Sequence, residues 1–141
     1  MGLRRVWERI GRQERPAPVR RGPAPRVAIY AREERDAEGR LVLGVEAQEE
    51  ECRVFAARQG WEIVATFADR STEPEAGRDG LKALRGAIWR RRFDAVVSST
   101  PDRLYYDIER LVLLAREARL LGVELIFVEA PRDLDLYGED F

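Results

Sequence analysis

The chain has 141 residues, 45% hydrophobic and 36% charged, which suits one domain with a sizeable core. A formal net charge of −1 argues against a generic polyanion binder. With no histidine and one cysteine, Cys52, an internal disulfide, a zinc site and His-based acid–base chemistry are set aside.

No apolar run approaches the ~20 residues that span a bilayer. The N-terminus shows no signal-peptide pattern. The expectation is a cytoplasmic protein with no membrane span, metal or cofactor. The mean charge conceals an asymmetry. Residues 1–26 hold eight Arg against two Glu, a net of +6, which leaves −7 for the rest. Lys82 is the sole lysine. Arginine enrichment fits bidentate phosphate contacts, and equally a biased genome or a hot habitat.

In chain order, Leu3, Val6, Trp7 and Ile10 recur at i, i+3, i+4, i+7, one face of a short amphipathic helix. Arg4, Arg5, Arg9 and Arg12 lie elsewhere around it. Pro16, Pro18, Pro23 and Pro25 then mark an extended linker. Residues 1–25 therefore read as a basic extension, which could dock on the domain, a partner, an anionic membrane surface or nucleic acid, or fray as a tail.

From Arg26 strands and helices alternate. Val27–Ala31 is a short apolar strand. Residues 44–59 form a helix with Val45, Gln48, Cys52, Phe55 and Ala56 inward, stopped by Gly60. Trp61–Phe67 is a strand and Ser71–Asp79 a polar loop. A helix over 79–91 turns Leu81, Leu84 and Ile88 inward, with Asp79 as its N-cap. Phe93–Ser98 is a strand. Asp107–Leu121 is a helix closed by Gly122, with Ile108, Leu111, Val112, Ala115 and Ala118 as its core stripe. Val123–Val128 is the last strand. The pattern predicts an α/β fold: three layers, with a mainly parallel sheet of about four strands and helices on both faces. Residues 26–130 form this domain and 131–141 an acidic tail.

Such sheets gather ligands beyond the carboxyl ends of their strands. Arg32, Glu33 and Glu34 follow the first strand, Asp69 and Arg78 the second, Asp102 and Arg103 the third. Six short motifs lie along the same stretch. They are Tyr30-Ala31-Arg32, Gly44 to Gln48 with Cys52, Trp61 with Phe67-Ala68-Asp69, Arg78-Asp79-Gly80-Leu81, Asp102-Arg103-Leu104 with Asp107, and Gly122-Val123. Together they resemble the catalytic domain of the serine recombinases, the resolvase/invertase family, over about residues 26–130.

The resemblance implies site-specific DNA recombination, in which a serine attacks a phosphodiester inside a ring of arginines. Arg32, Arg78 and Arg103 match three of those arginines. With Asp69, Asp102 and Gln48 they are the phosphate- or DNA-binding candidates. The fourth arginine position holds Tyr106, and the nucleophile position holds Glu34. No Ser or Thr occurs from Ala31 through Ala65, so a small shift of alignment finds no hydroxyl. A carboxylate would form an acyl phosphate, which water cleaves before strands can be rejoined. It also opposes a phosphate by ~1 kcal/mol at about 4 Å in water, and several-fold more when half-buried. No catalytic set is intact on this reading. The family's active members also continue into a long dimerisation helix and a DNA-binding module, near whose start this sequence ends.

Plainer readings stand beside these. The arginine cluster is either a residual phosphate pocket or a salt-bridge network in which Glu34 pairs permanently with an arginine. Gln48 and Cys52 are a hydrogen-bonded inward amide and a small apolar filler. Ser98, Ser99 and Thr100 are turn and capping residues. Tyr106, Leu113 and Leu120, seven apart, form either a partner surface or an edge packed under the acidic tail.

The leading functional expectation is a serine-recombinase-like domain without cleavage, a pseudoenzyme kept as a binding or regulatory module. The alternatives are an enzyme on phosphate monoesters or nucleotides with Glu34 or Asp69 as base, and nonspecific DNA association through residues 1–26. DNA or a protein is the expected partner. The oligomeric state stays open, a homodimer included.

Overall fold

The computed structural model describes residues 24–70 and 78–136. The expected N-terminal helix, the Pro-rich linker to residue 23, most of the 71–79 loop and the last five residues lie outside them. The strands are β1 (Arg26–Arg32), β2 (Glu34–Arg35), β3 (Leu41–Leu43), β4 (Glu62–Asp69), β5 (Ala95–Ser98) and β6 (Glu124–Phe127). The helices are α1 (Val45–Gln59), α2 (Asp79–Trp89) and α3 (Ile108–Leu120), with a 3-10 turn at Pro101–Arg103.

Four parallel strands form the main sheet in the order β4-β1-β5-β6. The sequence-based α/β expectation therefore holds. From β1 the chain steps one way to β4, then back across β1 to β5 and on to β6. Right-handed crossovers put α1 on one face and α2 and α3 on the other. β1 is central and covered on both sides, so all of Val27–Arg32 is buried. That explains its unbroken apolar run. Val27, Ile29, Leu84, Ile88, Leu111, Leu125 and Phe127 share one core. Burying each such side chain contributes roughly 1.5–3 kcal/mol.

Helix ends follow local chemistry. Gly60 closes α1 at φ 74°, and Gly122 follows α3 at φ 79°, both left-handed. Asp107 caps α3 by accepting from the Glu109 N–H at 2.9 Å.

Some boundaries differ from expectation. Arg78, not Asp79, holds the N-cap position of α2, and its side chain makes no capping bond. Asp69, at the end of β4, supplies the cap from across the sheet edge, accepting from the Gly80 and Leu81 N–H groups at 2.7 and 2.9 Å. Such a cap has no signature in the local sequence. Ile108 is 54% exposed rather than in the core stripe, and Leu114 is buried in its stead, because the inward face of α3 is Leu111, Leu114, Ala115 and Ala118, spaced i, i+3, i+4, i+7. The expected loop after β1 contains an antiparallel hairpin, β2 with β3. Its turn is held by Asp36, whose carboxylate accepts from the Glu38 and Arg40 N–H groups. Those bonds, the Arg40 N–H first, lower the Asp36 carboxyl below its usual range. Beyond β6 the chain stays attached: Leu136 is buried in the core and Leu134 packs against it.

Candidate functional site

The crevice lies at the carboxyl ends of β1, β4 and β5, where the winding reverses. Arg32 and Asp69 end their strands as register partners. The Glu33 N–H reaches the Asp69 carbonyl at 3.1 Å, tying the start of the hairpin to β4. The hairpin then pairs Glu34 with Leu43, just before α1 begins. The 3-10 turn after β5 delivers Arg103.

Three groups of contacts fill the crevice. In the first, Gln48 holds the end of β1. Its amide oxygen accepts from the Arg32 N–H at 3.0 Å, and its Nε2 donates to the Arg32 carbonyl at 2.5 Å. The inward glutamine is thus hydrogen-bonded to backbone, and its amide is taken up in fixing Arg32.

The second is a buried polar chain. Tyr30 donates its hydroxyl hydrogen to Asp69 Oδ2 at 2.6 Å and accepts from Arg78 at 2.8 Å. The same Arg78 nitrogen donates to the Arg103 carbonyl at 3.0 Å. The Arg78 guanidinium lies 5.8 Å from the Tyr30 ring centre and 5.4 Å from that of Tyr105. Burial drives the Tyr30 phenol above its usual range, against the opposing pull of the Arg78 hydrogen bond. Asp69 carries three donors, so its oxygens are engaged in structure.

The third is the pair that decides the electrostatics. Arg103 donates to Glu34 Oε1 at 2.5 Å; the side chains are 7% and 35% exposed. A half-open carboxylate therefore sits on a nearly buried guanidinium. Of the two readings of the arginine cluster, this contact is the one the salt-bridge reading requires.

Arg32 sits 5.8 Å from the ring centre of Tyr106, which is 68% exposed. Burial, and then the charge of Arg78, hold the Arg32 guanidinium below its usual value. Asp102 accepts from the Thr100 hydroxyl within its own turn. Ser98 donates to the Tyr30 carbonyl at 2.8 Å, so Ser98 and Thr100 are both bound in local structure. Glu51 of α1 adds a further carboxyl, raised by burial and then by the like charge of Glu129, with Arg103 pulling it back.

The sequence-based candidates Arg32, Asp69, Arg78, Arg103 and Gln48 thus converge, with Glu34 among them. Tyr30 and Tyr105 were not singled out as site residues. Tyr30 lies inside the Tyr-Ala-Arg motif, but its hydroxyl contacts arise only once β4 lies beside β1. Gly80 is a further one. A Cβ there would stand 2.3 Å from the Ala68 carbonyl oxygen, so only glycine lets α2 approach β4 closely enough to take the Asp69 cap.

The family model "Resolvase, N terminal domain" matches residues 27–139, most of the chain. The chain belongs to the resolvase N-terminal domain family. Three solved structures share the fold of this resolvase-like domain. The C-terminal catalytic domain of ISC1926 TnpA, an IS607-like serine recombinase, is 25% identical with a TM-score of 0.60, over 74% of this chain and 71% of that one. The N-terminal catalytic domain of TP901-1 integrase gives 21% and 0.65, over 73% and 77%. A resolvase family site-specific recombinase from Streptococcus pneumoniae gives 22% and 0.63, over 74% and 72%. No curated protein sequence matches the chain. Among the described residues no helix is long and apolar enough to cross a membrane, and no cluster of His, Cys, Asp and Glu fits a metal ion.

Proposed function

We propose that this serine-recombinase-like domain does not cleave DNA and acts as a binding or regulatory module. The observation that carries the reading is the 2.5 Å contact between Glu34 and Arg103. By resemblance to the family's motifs, Glu34 falls at the nucleophile position and Arg103 at a phosphate-binding arginine. Here the side chain at the nucleophile position neutralises the guanidinium that would receive the phosphate. An entering phosphodiester has to displace a charge-assisted bond and then share the space with the carboxylate. Tyr106, at the fourth arginine position, offers Arg32 a ring face and adds no positive charge for a pentavalent transition state.

The test is a cleavage assay with the full chain and supercoiled plasmid, read for nicks and for covalent protein–DNA product. The expected result is neither, at any protein concentration. A covalent product that disappears in Glu34→Gln overturns the proposal.

A second reading, a phosphate- or nucleotide-binding enzyme, draws on one observation. The buried Nε groups of Arg78 and Arg103 meet no acceptor among the described residues. Asp69 is a poor base for it, since Tyr30, Gly80 and Leu81 occupy its oxygens. Glu34 would have to leave Arg103 to serve. Resonance shifts on adding millimolar inorganic phosphate or nucleotide, lost in Arg103→Ala, support this reading; silence discards it.

A further inference from the structure

Beside the arginine crevice lies a separate cavity of about 470 Å³. It opens between the start of α3 and the segment that leaves β6. Tyr106, Ile108, Leu111 and Leu134 give it apolar walls, and Asp102 and Glu129 bring carboxylates. Tyr106 and Ile108 are 68% and 54% exposed, large apolar groups left facing outward. Glu129 makes no side-chain hydrogen bond or ion pair among the described residues, and its charge helps to raise the Glu51 carboxyl. A concave apolar surface with unneutralised carboxylates asks for an occupant that is apolar on one side and cationic on the other.

The chain carries such a segment. Residues 1–26 bear +6 against −7 for the remainder, and Leu3, Val6, Trp7 and Ile10 fall on one helical face flanked by Arg4, Arg5 and Arg9. The described chain starts at Ala24, next to the amino end of β1, opposite the cavity. β1 has seven residues, so the cavity lies roughly 23 Å along the strands and about 10 Å across two strand spacings. Residues 11–23, rich in proline, can reach roughly 40 Å when extended. The linker is long enough to round the sheet, and being tethered the segment meets the cavity at high effective concentration.

We propose that residues 3–10 dock into this cavity of their own domain, with Trp7 entering between Tyr106, Ile108 and Leu134 and the flanking arginines facing Asp102 and Glu129. The basic extension would then be a built-in ligand for the acidic domain, held beside the arginine crevice that Tyr106 also borders. A second copy fits less well, because two acidic bodies repel across the same face.

The test uses the full chain labelled with fluorotryptophan, which gives three 19F signals, one for each tryptophan. Trp7→Phe identifies the Trp7 signal. The expected result is a Trp7 signal displaced from that of a free peptide of residues 1–23. It should move to the free position in Ile108→Glu and part-way in Glu129→Lys, while the Trp61 signal stays fixed. Ile108 is more than half exposed, so its variant should keep the fold, which the Trp61 signal checks. A Trp7 signal at the free-peptide position in the unaltered chain overturns the proposal and leaves the cavity to a separate partner. A displaced signal that returns to the free position on dilution, with a doubled mass at high concentration, also overturns it, in favour of exchange between copies.

Discussion

Glu34 and Arg103 lie 69 residues apart in the chain and 2.5 Å apart in the fold. The β2–β3 hairpin brings the carboxylate and the turn after β5 brings the guanidinium. Neither element makes sense of the pair alone. The contact leaves an arginine of the crevice already charge-paired, and on the proposed reading an incoming phosphate has to displace that carboxylate.

Removing the acid should therefore destabilise the fold while opening the crevice. In Glu34→Ala the nearly buried Arg103 loses the carboxylate that its guanidinium is bonded to. Charge-assisted bonds of this kind contribute about 1.5–3 kcal/mol, and the 35% exposure of Glu34 places the expected loss near the lower end. Urea unfolding of the variant should show the loss, with high salt narrowing the gap to the unaltered chain.

Tyr30→Phe should cost about 1–3 kcal/mol by leaving Asp69 and Arg78 short of a buried partner. The same hydroxyl sets a pH dependence. Its folded-state pKa lies above the unfolded value of about 10. The unfolded chain therefore loses this proton first, and stability present below pH ~10 falls as pH rises further. Denaturation between pH 9 and 11 should show that fall in the unaltered chain and a shallower one in Tyr30→Phe.

Gly80→Ala should be severe, about 3 kcal/mol or more, since the new methyl meets backbone rather than a side chain that can rotate away. Thermal unfolding by circular dichroism checks it. Ala→Gly at the exposed Ala83 of the same helix serves as a control and should cost only ~1 kcal/mol.

Cys52 is fully buried and burial pushes its thiol up to about 12. Under native conditions at pH 8 it should resist a thiol reagent and react with one equivalent after unfolding. Rapid native labelling would mean that α1 opens readily from the sheet.

Much of this architecture is legible in the sequence. β1, β4, β5 and β6 announce themselves as short apolar runs between amphipathic helices, and Gly60 and Gly122 mark the helix ends where left-handed backbone is needed. The charged residues that follow β1 and β4, with Arg103 after β5, gather at one rim because parallel winding brings the carboxyl ends of the strands together. The hairpin was not legible. Two- and three-residue strands show no periodicity, and Leu41 and Val42 are more than half exposed. The Asp69 cap and the Tyr30 bridge were hidden for another reason. Both depend on partners 11 to 48 residues away, which come together only when α2 packs on β4 and β4 lies beside β1.

The most direct measurement is a phosphate titration of the full chain and of Glu34→Ala, followed by NMR at the Arg103 side chain. With Glu34 in place, millimolar phosphate should leave the Arg103 signals unmoved; once Glu34 is removed, they should shift and saturate. Equal binding by both proteins would contradict this, since the carboxylate would then not be occupying the guanidinium.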